Sequence, residues 1–375
     1  MQERALLMIP GPTPVPEEVL LELAKHPVGH RSKDFMAVTE AVLQKLKWLH
    51  QTKNDVMILA SSGTGAVEAG IINFFSPGDR LLIGANGKFG ERWIEVAKAY
   101  GLDVDPITAP WGQPLDTEEF RRKLEADTAK AYKGVVVTHS ETSTGVLNDL
   151  AKINGHVKAH GALIIVDAVT SLGAVALPID EWGLDVVASG SQKGYMLPPG
   201  LGFVTASDRA WQAYETAKLP RYYLDLGKYR REVTPFTPPV NLIAALHKAL
   251  EMMEQDGLEA IFNRHQRQMR ATRAAVKALG LPLLAADSCA SPAITSVAPT
   301  TVDAQQVRSL IKKRFNIVLA DGQDHLKGKI FRMGHLGYVS DRDIITAVGC
   351  LEAVLNELGH TCSGAIAAAA QELIK

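Results

Sequence analysis

Six short runs, apolar through their middles, at 56–60, 80–84, 134–138, 162–167, 185–188 and 202–206, punctuate the first part of this chain. A strand with one wet face alternates apolar and polar residues. A run whose middle is apolar without alternation suits a strand buried on both faces, as in a parallel sheet covered by helices. Helical segments fall between the runs: 64–75 follows a Ser-Gly turn, 91–100 ends at Gly101, and 117–126 has Asp116 as its cap. This β–α alternation predicts an α/β fold with a mostly parallel sheet. After about residue 208 the pattern changes. Pro235, Pro238 and Pro239 break the chain, and a long helical pattern runs from Asn241 to about Asp256. Beyond a hinge placed there, helices at 263–279, 304–315 and 341–357 and strands at 293–297 and 329–333 read as a smaller α/β domain. The Ala-rich segment 363–375 is a candidate last helix. The expected organisation is an N-terminal arm (1–20), a large domain (21–256) and a small C-terminal domain (257–375).

Composition narrows the function classes. Acidic and basic residues number 41 and 40, so there is no basic excess for nucleic acid. The three cysteines, Cys289, Cys350 and Cys362, form no CxxC pair and no metal-ligand spacing. That pattern leads us to expect a reducing cytoplasm and no metal site. No window approaches the ~18 consecutive apolar residues of a membrane helix. Met1-Gln2-Glu3-Arg4 runs into Pro10, Pro12, Pro14 and Pro16 without an apolar core, unlike a signal peptide.

Four segments carry candidate chemistry. In Val187-Ala188-Ser189-Gly190-Ser191-Gln192-Lys193-Gly194, followed by Pro198-Pro199-Gly200, Lys193 comes soon after a buried strand among small residues. A Schiff-base lysine needs that setting, an anchored backbone and a free amine of lowered pKa, although a solvated loop lysine is the ordinary alternative. In Leu163-Ile164-Ile165-Val166-Asp167 a carboxylate ends an apolar strand, at the sheet edge where α/β folds bind ligands. There it could keep a pyridine nitrogen protonated, or merely cap a turn. Ser61-Ser62-Gly63-Thr64-Gly65 joins a strand to a helix and could hold a phosphate, though it fits neither the Walker nor the dinucleotide pattern. Phe89, in Asn86-Gly87-Lys88-Phe89-Gly90, could stack on a flat ring; from position alone a core aromatic fits better.

In this order the segments resemble the class V aminotransferases of pyridoxal-phosphate (PLP) fold type I, and within them the alanine/serine–glyoxylate group. The resemblance runs from Pro10-Gly11-Pro12-Thr13 through Thr138-His139-Ser140-Glu141-Thr142-Ser143-Thr144-Gly145 and Ser189-Gly190-Ser191-Gln192-Lys193 to Phe331-Arg332-Met333-Gly334. It implies that Lys193 carries the cofactor as a Schiff base and shuttles the substrate proton. It also implies that Asp167 pairs with the pyridine nitrogen, Val169 packs beneath the ring and Phe89, where close relatives often carry tryptophan, stacks on it. Thr142 matches a hydroxyl near the phenolic oxygen, and Ser62, Gly63, Thr64 and Gln192 match phosphate contacts. Thr237 matches a phosphate contact given by the neighbouring subunit of a homodimer; a tyrosine found in some relatives three residues earlier is Thr234 here. Arg332 matches the arginine that grips the substrate α-carboxylate, and Gly11 is expected beside the substrate. The His30-Arg31-Ser32 segment resembles a motif near the cleft mouth.

The resulting expectation is a cytoplasmic homodimer, with its active site at the subunit interface, that passes an amino group from serine or alanine to glyoxylate by ping-pong kinetics. A cysteine desulfurase shares the fold, but its thiol loop has no counterpart: 321–328 contains no cysteine. Some similar sequences carry a soluble-hydrogenase small-subunit label, yet no clustered Cys or His motif for nickel or iron–sulfur is present.

Overall fold

A computed structural model describes residues 4–375; Met1–Glu3, the start of the segment read as an arm, lie outside the described residues. The six apolar runs become strands of one seven-stranded sheet. Its order is Asp55–Ala60, Leu201–Ala206, Val186–Gly190, Leu163–Asp167, Tyr132–Thr138, Arg80–Ala85 and Asp103–Thr108. Leu201–Ala206 alone runs antiparallel to its neighbours, while the other pairings are parallel. The mostly parallel sheet expected from the sequence is therefore present.

Its two faces explain the apolar middles of the runs. Ile164, Val166, Val135, Val137 and Val187 point into one core with the helices Lys33–Leu49, Leu150–His160 and Val240–Asp256. Leu163, Ile165, Val136, Val186 and Ala188 point into the opposite core, under Gly63–Ile72 and Lys88–Ala99. Burying each such valine or isoleucine contributes about 1.5–3 kcal/mol at most, so both faces must stay apolar.

A second sheet, of order Leu6–Met8, Ile317–Asp321, Phe331–Gly334 and Ile294–Val297, packs with the helices Leu258–Ala278, Ala304–Phe315, Asp341–Glu357 and Ala365–Leu373 around a third core. Leu6–Met8, from the segment read as an arm, pairs in parallel with Ile317–Asp321 and so closes the edge of this sheet. The helix Val240–Asp256 ends at Gly257, whose φ of 82° turns the chain directly into Leu258–Ala278. Among the described residues no helix is long and apolar enough to cross a membrane.

All the parallel strands of the large sheet end on the same edge. Ala60, Ala85, Thr108, Thr138, Asp167 and Gly190 are their last residues, and Leu201 starts the antiparallel strand opposite Ala60. The segments that follow these ends, and the 191–200 loop, therefore converge along one rim, as expected for an open α/β sheet.

Candidate active site

A cavity of about 250 Å³ opens at this rim. Of the residues singled out in the sequence, Gly11, Ser62, Gly63, Thr64, Phe89, Thr142, Asp167, Val169, Gln192 and Lys193 line it. Thr237 and Arg332 do not. Arg332 reaches the lining residue Thr142 through its backbone carbonyl, whereas Thr237 lines a separate, smaller recess with Tyr223, Tyr229 and Phe236.

Lys193 reaches the cavity from a tightly held loop. The Ser191 hydroxyl donates to the Pro198 carbonyl (2.8 Å) and accepts from the Leu201 amide (3.2 Å). Thr13, from the N-terminal segment, donates its amide to the Gln192 carbonyl (3.2 Å) and its hydroxyl to the Lys193 carbonyl (3.2 Å). The amine itself donates to the Pro10 carbonyl at 2.5 Å. Gly11 has a φ of 144°, and a Cβ there would lie 2.8 Å from the lysine Cε and Nζ, so only glycine leaves the amine its channel. Burial, with help from the nearby Arg332 charge, holds the Lys193 pKa down to about 8.

Asp167 faces the same space. Its Oδ1 accepts the Val169 amide (2.9 Å) and its Oδ2 accepts the Trp93 indole N–H (3.3 Å). Burial pushes its pKa up, opposed by these two donors and by the Arg92 and Lys193 charges. Thr142 hydrogen-bonds Thr170 hydroxyl to hydroxyl at 2.6 Å. The Thr142 carbonyl accepts Nη1 of Arg332 (2.8 Å), whose Nε donates to the Asp321 carbonyl (2.7 Å). Arg332 is thereby aimed from the small sheet at the large one. Burial lowers its pKa to about 10, still leaving it charged.

At the other end of the cavity, the Ser62 hydroxyl accepts the Gly65 amide (3.4 Å) as the cap of helix Gly63–Ile72. A Cβ on Gly63 would come within 2.9 Å of Val169 Cγ2, so the helix start is pressed against the floor of the cavity. Phe89 begins the helix Lys88–Ala99, whose start is fixed by the wholly buried Glu141. Its Oε2 accepts the Phe89 (3.1 Å) and Gly90 (3.0 Å) amides.

Several lining residues escaped the sequence reading. Arg92 and Trp93 follow Phe89 by three and four positions, so helical spacing from Phe89 was the available signal. Thr170 stands three residues beyond Asp167, on the same turn as Val169. Glu141, which is not among the lining residues but fixes the helix start at Phe89, was inside a quoted motif without a role.

The residues fit PLP. Asp167, a carboxylate pushed upward by burial, makes no ion pair among the described residues, and a protonated ring nitrogen would supply one. The Oε1 of Gln192 is buried without a hydrogen-bond partner among the described residues, next to the helix start that would receive a phosphate. Lysine amine, carboxylate and helix start on one sheet edge thus define a PLP enzyme of fold type I.

The aminotransferase class-V family model matches residues 6–335, and the chain belongs to that family; PLP is its cofactor. The chain is 67% identical, over 100% of its length and 99% of the relative's, to a protein of a Synechococcus species named "Soluble hydrogenase, small subunit". It is 38% identical to the L-aspartate–glyoxylate aminotransferase of Paracoccus denitrificans, covering 98% of this chain and 95% of the relative. The solved ureidoglycine–glyoxylate aminotransferase of Bacillus subtilis superposes with a TM-score of 0.94 at 30% identity, covering 100% and 99% of the two chains. An alanine–glyoxylate aminotransferase from a Nostoc species gives 0.89 at 34%, covering 95% and 96%.

Proposed function

We propose that this chain, as a cytoplasmic homodimer, transfers an amino group between serine or alanine and glyoxylate. The observation that carries the reading is Arg332. Two of its nitrogens are fixed by the Thr142 and Asp321 carbonyls, its Nη2 makes no hydrogen bond among the described residues, and its charge is felt by the Lys193 amine. One guanidinium edge so placed can seat one α-carboxylate with the Cα toward Lys193. A small donor needs nothing more; aspartate or glutamate needs a second cation. Arg92, which also lines the cavity, is turned to Thr64 and to the Phe89 ring.

PLP, when bound, supplies a sink for the electron pair left on the substrate Cα. The protein does the rest. With a pKa near 8, Lys193 can give up its proton at neutral pH, take one from Cα and return it to the neighbouring carbon. Asp167, whose pKa burial raises against the opposing Val169 and Trp93 donors, would face the ring nitrogen and share its positive charge. The close packing of Gly63 on Val169 gives that face of the cavity an apolar floor. Amino donor and oxo acid use the same Arg332 anchor in turn, which gives ping-pong kinetics.

The experiment is a donor–acceptor panel on one preparation. Serine or alanine with glyoxylate should give a higher kcat/KM than aspartate or glutamate with 2-oxoglutarate. Arg332→Ala should cost about 2–5 kcal/mol of kcat/KM, more than tenfold, for donor and acceptor alike. Faster turnover of the dicarboxylic pair overturns the substrate assignment.

A further inference from the structure

Arg92 has been given no contact with cofactor or substrate so far, yet it lines the cavity. It lies one helical turn after Phe89 on Lys88–Ala99, with its guanidinium carbon 4.8 Å from the centre of the Phe89 ring. Its Nη1 donates to the Thr64 hydroxyl at 3.3 Å. Among the described residues it forms no ion pair, unlike Lys88 on the same helix, which pairs with Glu95 and Asp324. A half-buried guanidinium fixed by a ring and a hydroxyl, with no carboxylate in ion-pair contact among the described residues and Asp167 feeling its charge only at longer range, leaves its positive charge at the cavity.

The neighbouring groups say what that charge meets. Ser62, Gly63, Thr64 and Gln192 form the end of the cavity around the start of helix Gly63–Ile72, and all are neutral. A phosphate monoester brings a charge of about −1.5 to −2 at pH 7, more than a helix terminus of roughly half a unit charge offsets. Gln192 adds a buried, unpartnered amide oxygen, which a flip of the amide exchanges for a donor. We propose that Arg92 is the charge partner of the cofactor phosphate, with Thr64 aiming its guanidinium and Phe89 backing it. The same side chain is then withheld from substrate carboxylates, which links this cation to the choice of a small donor.

The inference rests on PLP as cofactor and on its phosphate lying at Ser62–Thr64, and the test separates it from both. Apoprotein is titrated with PLP and with pyridoxal, which lacks the phosphate, and binding is followed by absorbance and by quenching of tryptophan fluorescence. Arg92→Gln should raise the Kd for PLP at least about tenfold, the effect of losing a charge-assisted hydrogen bond, and leave the Kd for pyridoxal within about twofold. Arg92→Lys, which keeps the charge without the fork, should fall between native and Arg92→Gln for PLP. The native Kd for PLP should also rise more steeply with salt than that of Arg92→Gln. Equal PLP affinity in native and Arg92→Gln protein overturns the assignment, as does an equal loss for PLP and pyridoxal, which would mean that Arg92 only props the Phe89 ring. A native protein that binds neither compound would overturn the cofactor itself.

Discussion

The rim at Asp167 and Lys193 and the segment 234–239 were both expected to touch the cofactor, and they are built in opposite ways. Asp167 and Lys193 are 6% and 8% exposed, and their positions are fixed within this chain by strand ends, the Thr13 clamp and the Trp93 and Val169 donors. Thr237 is exposed, its hydroxyl has no hydrogen bond among the described residues, and its neighbour Phe236 packs on Tyr223 (4.9 Å between ring centres) rather than on anything in the cavity. A group that is buried and fully bonded in one chain can act there. A hydroxyl standing in solvent away from the cavity can act on a cofactor only if something outside this chain is brought to it.

The largest break in that comparison comes at Lys193. Lys193→Ala removes the amine proposed to hold the cofactor and move the proton, and should lower turnover by a factor on the order of 10⁴. Borohydride reduction of the native enzyme followed by peptide mapping should find the pyridoxyl group on Lys193; a label on another lysine undoes the assignment. The amine also predicts a pH dependence. Burial disfavours its charged form, so the neutral nucleophile accumulates as pH rises through about 8 instead of 10.5. The rate at which apoprotein captures PLP should climb about tenfold per pH unit below 8 and level off above it. A rate still climbing at pH 10 means that the amine is not buried.

Asp167→Asn comes next. The substitution preserves shape and the acceptor for the Val169 amide, so thermal unfolding should be little changed. The carboxylate proposed to face the ring nitrogen is lost, and kcat should fall by about 10²–10³, the cost of removing a preorganised charge from a buried site. Near-native kcat would show that Asp167 is only a turn residue.

This contrast also marks what was legible in the sequence. The runs ending at Ala60, Asp167 and Ala206 announced themselves because a strand buried on both faces has no polar position to hide behind. Asp103–Thr108 did not: it is one of two edge strands, and unlike the other, Asp55–Ala60, it has a single buried residue and carries Pro106, which an edge tolerates. The antiparallel direction of Leu201–Ala206 was equally invisible, since an apolar run carries no arrow. Leu6–Met8 is three residues long and gains its identity only by pairing with Ile317–Asp321, more than 300 positions away. In the site, Lys193 and Asp167 stood out as polar residues directly after buried strands. Arg92 and Trp93 did not, because an arginine and a tryptophan in an amphipathic helix look the same whether they face a cavity, a core or water. Glu141 shows the same limit: its work is to receive backbone amides of a distant helix start, a relation visible only in three dimensions.

The smallest predicted effect sharpens the comparison most, because it asks which chain Thr237 serves. If Thr237 donates to the phosphate in a neighbouring subunit, Thr237→Ala should weaken PLP binding by roughly tenfold, the worth of one hydrogen bond to a charged group. Affinity alone does not tell cis from trans, but a hybrid does. Subunits carrying Lys193→Ala are mixed and re-associated with subunits carrying Thr237→Ala. If Thr237 acts across the boundary, one site of each hybrid combines Lys193 of the second type with Thr237 of the first, and that site is native. If Thr237 acts within its own chain, every site carries a lesion. The hybrid should therefore bind PLP covalently at one site per dimer with native affinity, and light scattering should show the active species to be a dimer. A hybrid whose covalent sites all show the weakened affinity would place Thr237 in its own chain's site, against its exposed position, and a fully active monomer would remove the need for a second chain altogether.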